Sequence, residues 1–355
     1  MLGTWPEGAA VQTGSVTSDK SDGVRTRLWR AGRLEVENFP LEEISDHLQE
    51  EGALVWLDLC QPDHALLRNL ASELAFDPHA VEDAISSGER PKATRHATHT
   101  FVTVYATRLE TGGDRGLGAL ESRLQISRLS AFVLPNGIVT VRSDTGFDMD
   151  QVVQRWEDDA DLLKLGSGAL LHGLLDVVVD GHFETIQLMD DAIESLEDGL
   201  FDERALTREI QQRTYRVRKE LVELRRVILP MREVVNAVQR HHSEGNGQGN
   251  ELDGWYADLY DHVLRASEWT ESLRDMVTTV FETNLSLQDA RLNTVMKKLT
   301  GWAAIIAVPT AVTGWFGQNI AYPGFGQRSG LVASTVVIAG LATALYVTFR
   351  RRNWL

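Results

Sequence analysis

Two apolar stretches near the C-terminal end, residues 299–316 and 331–349, constrain this chain most. They contain 18 and 19 residues, and neither contains an Asp, Glu, Lys or Arg. As helices rising about 1.5 Å per residue they would be about 27–29 Å long, close to the thickness of a bilayer core. One such stretch would also suit the buried helix of a soluble protein, but two in tandem favour membrane spanning. We therefore predict two transmembrane helices, with the lipid bilayer as a partner.

The flanking charges predict the orientation of these helices. Lys297 and Lys298 precede the first stretch, and a basic C-terminus, residues 350–355, follows the second. Positive residues favour the cytoplasmic side, which predicts a multi-pass protein of the cell membrane with both termini in the cytoplasm. The whole chain carries a net charge of −16, and the residues after Lys298 carry +4, so residues 1–298 carry −20. So acidic a region repels nucleic acid and attracts cations.

The rest of the chain predicts an α/β domain followed by long helices. Residues 1–23 are polar and small and predict a disordered tail. Residues 24–147 predict a cytoplasmic α/β domain, and residues 148–298 a helical stalk. The predicted strands are 25–30, 34–37, 53–59, 100–108, 124–133 and 138–142, and the predicted helices are 41–49, 65–75, 78–86, 149–165, 167–200 and 204–242. A break near Pro230, a flexible turn at 243–250 and a helix from 252 complete the prediction.

The last stalk helix has an acidic face. Acids recur every seven residues, and hydroxyl or amide residues follow four positions later at most steps, which places them on one side of a helix. These acids are Asp261, Glu268, Asp275, Glu282 and Asp289, and the stripe continues through Asn293 to Met296. A solvated surface and the wall of an ion vestibule both explain this pattern, and the pattern alone leaves both open. In a symmetric oligomer each acid would become a ring that concentrates cations.

The character of this face changes at the membrane. Met296 and Leu299 would form an apolar constriction, and such constrictions gate pores by dewetting. Contact with lipid or with another helix is the alternative for these two residues. Ala303, Ala307 and Thr310 continue the face as small residues inside the span. Pro309 either kinks the helix or frees a carbonyl that lines a cavity.

The outer end of the first span carries Gly317-Gln318-Asn319. Here the chain resembles the CorA family of magnesium transporters, which includes the related ZntB zinc transporters and has Gly-Met-Asn at this place. Residues 76–83, 89–92 and 350–355 resemble further family segments, so the resemblance covers about residues 24–355.

The resemblance implies a funnel-shaped homopentamer with a cytoplasmic α/β domain and two C-terminal transmembrane helices. Residues 299–319 would be the first of these, 320–330 the outer loop and 331–349 the second. Gly317, Gln318 and Asn319 would form the selective mouth, and Asn319 would bind a hydrated cation. By distance from Asn319, the resemblance puts five residues on the pore wall: Glu282, Asn293, Met296, Leu299 and Thr310. The helix stripe adds Asp289, Ala303 and Ala307 to the pore lining, and it makes Met296 and Leu299 the apolar gate. Asp83 and Asp258 would bind a regulatory cation between subunits.

The departures from the family pattern leave the transported ion open. Gln318 replaces the methionine, and the outer loop contains no acid. Oxygen ligands favour Mg²⁺, with Co²⁺ or Ni²⁺ as further cargo, while Zn²⁺ transport, with or without proton coupling, is the alternative. A membrane-anchored metal sensor or scaffold is a second alternative. No nucleotide-binding loop or nucleophile–base motif indicates an enzyme.

Overall fold

The structure, a computed structural model, describes residues 23–86, 88–110, 123–200, 207–246, 251–318, 321–352 and 354. The chain divides into two compact units, one of Met1–Ala192 with Val217–Arg274 and one of Ile193–Arg216 with Asp275–Leu355. Residues 1–22 of the expected disordered tail lie outside the described residues. The predicted domain boundaries stay predictions.

The first unit contains a seven-stranded sheet. Its strands are β1 (Val24–Arg30), β2 (Arg33–Glu37), β3 (Ala53–Cys60), β4 (Lys92–Arg95), β5 (Thr100–Glu110), β6 (Arg123–Leu134) and β7 (Gly137–Arg142). Their order is β2-β1-β3-β7-β6-β5-β4, and only β3 and β7 pair in parallel. The six predicted strands are confirmed. Strand β4 was not predicted, because this short edge strand reads Lys-Ala-Thr-Arg and lacks apolar alternation.

Helices cover both faces of the sheet, which is why β3 is buried along nearly its whole length. Helices α1 (Ile44–Gln49), α2 (His64–Glu73) and α3 (Pro78–Ile85) pack on one face, around Phe132. A 3-10 turn at Leu41–Glu43 precedes α1. On the other face Trp156 meets Trp56 edge-on, with ring centroids 5.1 Å apart, in a core shared with the longer helices. These contacts give the first unit a three-layer core.

One predicted helix, 149–165, is wrong. Helix α4 covers only Met149–Asp158, and a separate 3-10 turn covers Leu162–Leu165. Asp158 is the last residue of α4, and Asp159 and Asp161 stand where the helix would continue. Acids are unfavourable near the negative C-terminal end of a helix dipole, which accounts for the break.

The remaining helices are α5 (Ser167–Leu200), α6 (Thr207–Ile228), α7 (Met231–Asn246), α8 (Glu251–Phe316) and α9 (Arg328–Arg351). The break near Pro230 is confirmed, because α6 ends at Ile228 and α7 begins at Met231. The predicted turn at 243–250 is wrong at its start, since α7 continues to Asn246; residues 247–250 lie outside the described residues. Ser243 and Glu244 tolerate helical conformation, and glycines begin only at Gly245.

Two helices have the length and hydropathy to cross a membrane, and both apolar stretches lie in them. They are α8, whose best window has a mean hydropathy of 1.4, and α9, whose window reaches 2.0. Only 6% of each window is buried within the chain. That exposure distinguishes them from the core helices of a soluble protein, which bury their apolar residues. The apolar windows therefore need lipid or other protein surfaces around them.

Candidate ion pathway and regulatory acids

The two faces of α8 differ as the periodicity predicts. Leu259, Leu273 and Val280 on the apolar side are at most 1% exposed. Every member of the polar stripe is exposed: Asp261, Glu268, Ser272, Asp275, Thr279, Glu282, Ser286, Asp289 and Asn293. The single chain thus presents a row of exposed oxygen-bearing side chains along one side of α8.

This exposed face continues along the part of α8 that would enter the membrane. Met296 is 58% exposed and Leu299 is 63% exposed. Ala303, Ala307 and Thr310 follow at steps of three and four residues and are also exposed. Carboxylates, then an amide, then apolar and small side chains therefore follow one another on one side of the helix.

Hydroxyl groups surround Pro309 inside the first span. Proline has no N–H, so the carbonyl of Ile305 lacks its usual helical partner. Thr313 Oγ1 donates to the Pro309 carbonyl at 2.7 Å, and Thr310 Oγ1 donates to the Ile306 carbonyl at 3.5 Å. Pro309 therefore frees one backbone carbonyl in the helix, at Ile305, as its place in the sequence predicts.

The helix ends just before the predicted mouth. Gly317 N donates to the Thr313 carbonyl at 2.8 Å, and Gln318 N donates to the Trp315 carbonyl at 3.4 Å. A Cβ on Gly317 would lie 2.9 Å from the Thr313 carbonyl oxygen, closer than side chains tolerate. Glycine is therefore required at this turn. Asn319, the predicted cation ligand, lies outside the described residues.

Tyr322 and two glycines hold the loop between α8 and α9, which is the predicted outer loop. Tyr322 donates its hydroxyl to the Phe316 carbonyl at 3.1 Å, and the two rings meet edge-on at 5.1 Å. Gly324 has a φ of +92° and accepts at its carbonyl from Gln327 N at 3.0 Å. A Cβ on Gly330 would lie 2.4 Å from that carbonyl oxygen. The backbone at Gly324 and Gly330 therefore packs so closely between α8 and α9 that Gly330 has no room for a side chain.

Gly330→Ala is expected to destabilise this loop and lower the thermal unfolding midpoint of the purified protein. The added methyl group would overlap the Gly324 carbonyl, and this backbone atom cannot rotate away as a side chain would. Gly340→Ala on the same helix is the control, since a Cβ there meets no atom within 4 Å in the described structure. Equal midpoints for the two variants would contradict the close contact at Gly330.

The first of the two predicted regulatory acids, Asp83, lies on α3. Asp77 caps this helix by accepting from His79 N at 2.9 Å, as its sequence predicts. Lys92 Nζ lies 2.7 Å from Asp83 Oδ2 and 2.9 Å from Glu89 Oε2. Burial lowers the pKa of Lys92, but its hydrogen bonds with Asp83 and Glu89 outweigh that effect and raise the pKa above its ordinary value. Asp83 is thus paired within its own chain.

The second acid, Asp258, lies on α8 and is 72% exposed. His262 Nδ1 is 3.8 Å from Asp258 Oδ2. Asp258 borders a cavity of about 180 Å³ that is also lined by Arg155, Asp176 and Asp180. Among the described residues, no group of three or more His, Cys, Asp or Glu side chains is arranged to hold a metal ion. Asp83 and Asp258 therefore belong to no such group within the described part of the chain.

Sequence comparison assigns the family. The profile described as CorA-like Mg2+ transporter protein matches residues 51–351. The chain belongs to this family. This chain is 25% identical over 363 residues to the cobalt/magnesium transport protein CorA of Thermotoga maritima. The aligned region covers 99% of this chain and 97% of that relative. It is 23% identical over 290 residues to the zinc transport protein ZntB of Yersinia pseudotuberculosis, covering 78% of this chain and 81% of that one.

A solved structure shares the fold of this CorA-like chain. The complete structure of the CorA magnesium transporter from Methanocaldococcus jannaschii matches with a TM-score of 0.70 at 19% identity, covering 94% of this chain and 98% of that one. The α/β domain, long helices and two apolar C-terminal helices therefore form the fold predicted from the sequence. Family membership makes the chain a divalent cation transporter of the membrane.

Lys92 is not among the predicted site residues, although it lies in the segment 89–92. Its partner Glu89 stands three residues earlier, a spacing that pairs charges on a helix, but no helix is predicted there. The pairing with Asp83 depends on β4, a strand that the sequence pattern does not predict. The acids and bases that lie close together in residues 83–92 are the sequence signal for this pairing.

Proposed function

We propose that this protein takes up Mg²⁺ through a pore lined by α8 in a homo-oligomer, a pentamer. The observation that carries this proposal is the unbroken exposed face of α8, from Glu282 and Asp289 through Asn293 to Thr310. Two membrane helices per chain cannot enclose a pore alone, so copies of this face would surround a common axis. Met296 and Leu299 form the gate, and Gly317, Gln318 and Asn319 form the mouth.

Ligand chemistry favours Mg²⁺ as the cargo. Mg²⁺ loses its water reluctantly and prefers oxygen ligands, and this face offers carboxylate, amide and hydroxyl oxygens without thiolate or imidazole. Co²⁺ and Ni²⁺ are further cargo of the same pore. The membrane potential supplies about 2.3 kcal/mol per elementary charge per 100 mV, and about twice that for a divalent ion, so no nucleotide is needed.

The orientation follows from the charges beside the spans. Lys297 and Lys298 precede the first span, and Arg350, Arg351 and Arg352 follow the second. Positive residues favour the cytoplasmic side of a membrane, which supports a cell-membrane protein with both termini in the cytoplasm. Occupancy of the cytoplasmic acids Asp83 and Asp258 by a cation would then favour the closed gate through a population shift.

Zn²⁺ is the second candidate for the cargo, transported with or without proton coupling. The similarity to a zinc transport protein favours it, and Gln318 in place of the methionine of the usual motif leaves it open. A membrane-anchored sensor that moves no ion is the third candidate. Its cytoplasmic unit would bind metal, and α9 and the end of α8 would only anchor it.

The test is ion entry into sealed vesicles that contain the purified protein. Internal dyes record Mg²⁺ and Zn²⁺, with and without a membrane potential and a proton gradient. We expect Mg²⁺ entry along the potential, and we expect Asn319→Ala to abolish it because the mouth would lose its amide oxygens. Asn236→Ala, an exposed asparagine on α7, is the matched control and is expected to transport normally.

Other outcomes would redirect the proposal. Entry of Zn²⁺ alone, following the proton gradient, would make zinc the cargo. If neither ion enters although the oligomer is intact, the anchored sensor replaces the transporter. Normal transport by Asn319→Ala would remove the proposed mouth.

A further inference from the structure

Near its C-terminal end α3 carries Asp83, and the positively charged ammonium group of Lys92, from the same chain, contacts this acid. Lys92 Nζ contacts Asp83 Oδ2 at 2.7 Å and Glu89 Oε2 at 2.9 Å. The three side chains are only 26–33% exposed, so the contact is partly shielded from solvent screening. Two carboxylates therefore converge on one ammonium group.

Backbone structure holds Lys92 in this position. Lys92 is the first residue of β4 and pairs with Thr103 of β5. Tyr105, on the same strand β5, donates its hydroxyl to the Glu89 carbonyl. The sheet thus orders both ends of the short segment between Glu89 and Lys92, which reduces the entropy lost when the side chains pair.

We infer that Lys92 acts as a built-in counter-ion at Asp83, so that a divalent cation binds to this acid only by displacing the ammonium group. This inference rests on the proposed transport function for its regulatory meaning. The closed state would then depend on Mg²⁺ at Asp83 far less than it would if this acid were unpaired.

Coordination chemistry supports the displacement. Mg²⁺ binds carboxylate oxygens at about 2.0–2.1 Å and commonly uses one or two carboxylates together with its water. Here the point where Asp83 and Glu89 converge already holds a positive charge. Like charges a few ångströms apart in a partly buried site repel strongly, so Mg²⁺ and the ammonium group exclude each other. The described residues fit an ammonium ion at this place rather than a resident metal.

A second group of acids in the same unit has a similar arrangement. Arg155 contacts Asp176, and its Nη2 lies 2.7 Å from Asp180 Oδ2. These residues line the cavity that Asp258 borders. Asp258 itself is 72% exposed, and His262 Nδ1 lies 3.8 Å from its Oδ2. Of the two proposed regulatory acids, Asp83 is therefore the one that the chain neutralises closely.

The test is the thermal unfolding midpoint of the full-length protein in detergent, measured against Mg²⁺ concentration at constant ionic strength. We expect Lys92→Met to lower the midpoint without Mg²⁺, because two neighbouring carboxylates lose their partner. Added Mg²⁺ should restore it with an apparent affinity at least about tenfold higher than in the unmodified protein. Asp83→Asn in the Lys92→Met background should remove this gained response, and Lys92→Arg should behave like the unmodified protein.

Asp83→Asn alone keeps the inference testable if Lys92→Met does not fold. We expect this variant to keep the Mg²⁺ response that the unmodified protein shows at concentrations too low to displace the Lys92 ammonium group, since Asp83 binds no Mg²⁺ until that group is displaced. Loss of the response in Asp83→Asn, or an unchanged response in Lys92→Met, would overturn the inference. The readout needs no ion flux, so absence of transport in vesicles would reject the proposed function without affecting this result.

Discussion

Ala307→Phe is expected to reduce divalent cation entry into vesicles by about tenfold or more, because its ring would fill a narrow pore. Ala307 is exposed and lies on the same side of α8 as Thr310 and Ala303. In a symmetric oligomer one substitution places a phenyl ring in every subunit at the same depth. The measurement is the initial rate of Mg²⁺ entry at a fixed membrane potential.

The matched control is Ala339→Phe on α9. Ala339 is also exposed and lies in the second apolar stretch, but α9 contains no acidic or amide stripe. A phenyl ring that faces lipid should leave the entry rate close to that of the unmodified protein. Both variants should keep their oligomeric size on gel filtration. Normal entry through Ala307→Phe, with the oligomer intact, would show that this face of α8 does not line the pathway.

Asp58→Ala is expected to destabilise the α/β domain by about 3–5 kcal/mol, the usual cost of removing one partner of a buried ion pair. Asp58 on β3 is fully buried, and Arg142 on β7 binds it through Nε at 3.0 Å and Nη2 at 2.6 Å. Thr140 Oγ1 also donates to Asp58 Oδ1 at 2.7 Å. Loss of the carboxylate would leave the Arg142 guanidinium buried without its counter-ion.

Tryptophan fluorescence during urea unfolding measures this effect, because Trp56 and Trp156 lie in the adjacent core. The double variant Asp58→Ala with Arg142→Met tests the cause. Removal of both charges should recover a large part of the stability, since no unpaired charge remains buried. A double variant as unstable as Asp58→Ala would show that packing, rather than the unpaired guanidinium, accounts for the loss.

Local sequence predicted several elements well. Helix α3 begins at Pro78 after its Asp77 cap, and α5 covers the predicted residues 167–200. Both depend on interactions within one or two helical turns, which a short window of sequence contains. Helix α4 is the counterexample, because its apolar spacing extends past Asp158 while a run of acids ends the helix.

The charged contacts were harder to predict. Asp58 and Arg142 are 84 positions apart and meet only because β3 and β7 pair in parallel with a particular register. Lys92 meets Asp83 only because β4 joins the edge of the sheet beside β5. Strand register is set by the whole core, so single-sequence patterns could not assign these pairs.

The sequence alone predicts the two membrane spans and the polar face of α8. An uncharged apolar stretch is stable in lipid because of its composition, and a helix repeats its faces with a fixed period. Both properties depend only on the order of residues along the chain. The tertiary structure alone decided that Asp83 is paired with Lys92, that Arg155 contacts the acids beside Asp258, and that Gly330 packs against Gly324. These contacts join separate elements, and their geometry is determined only when the elements pack together.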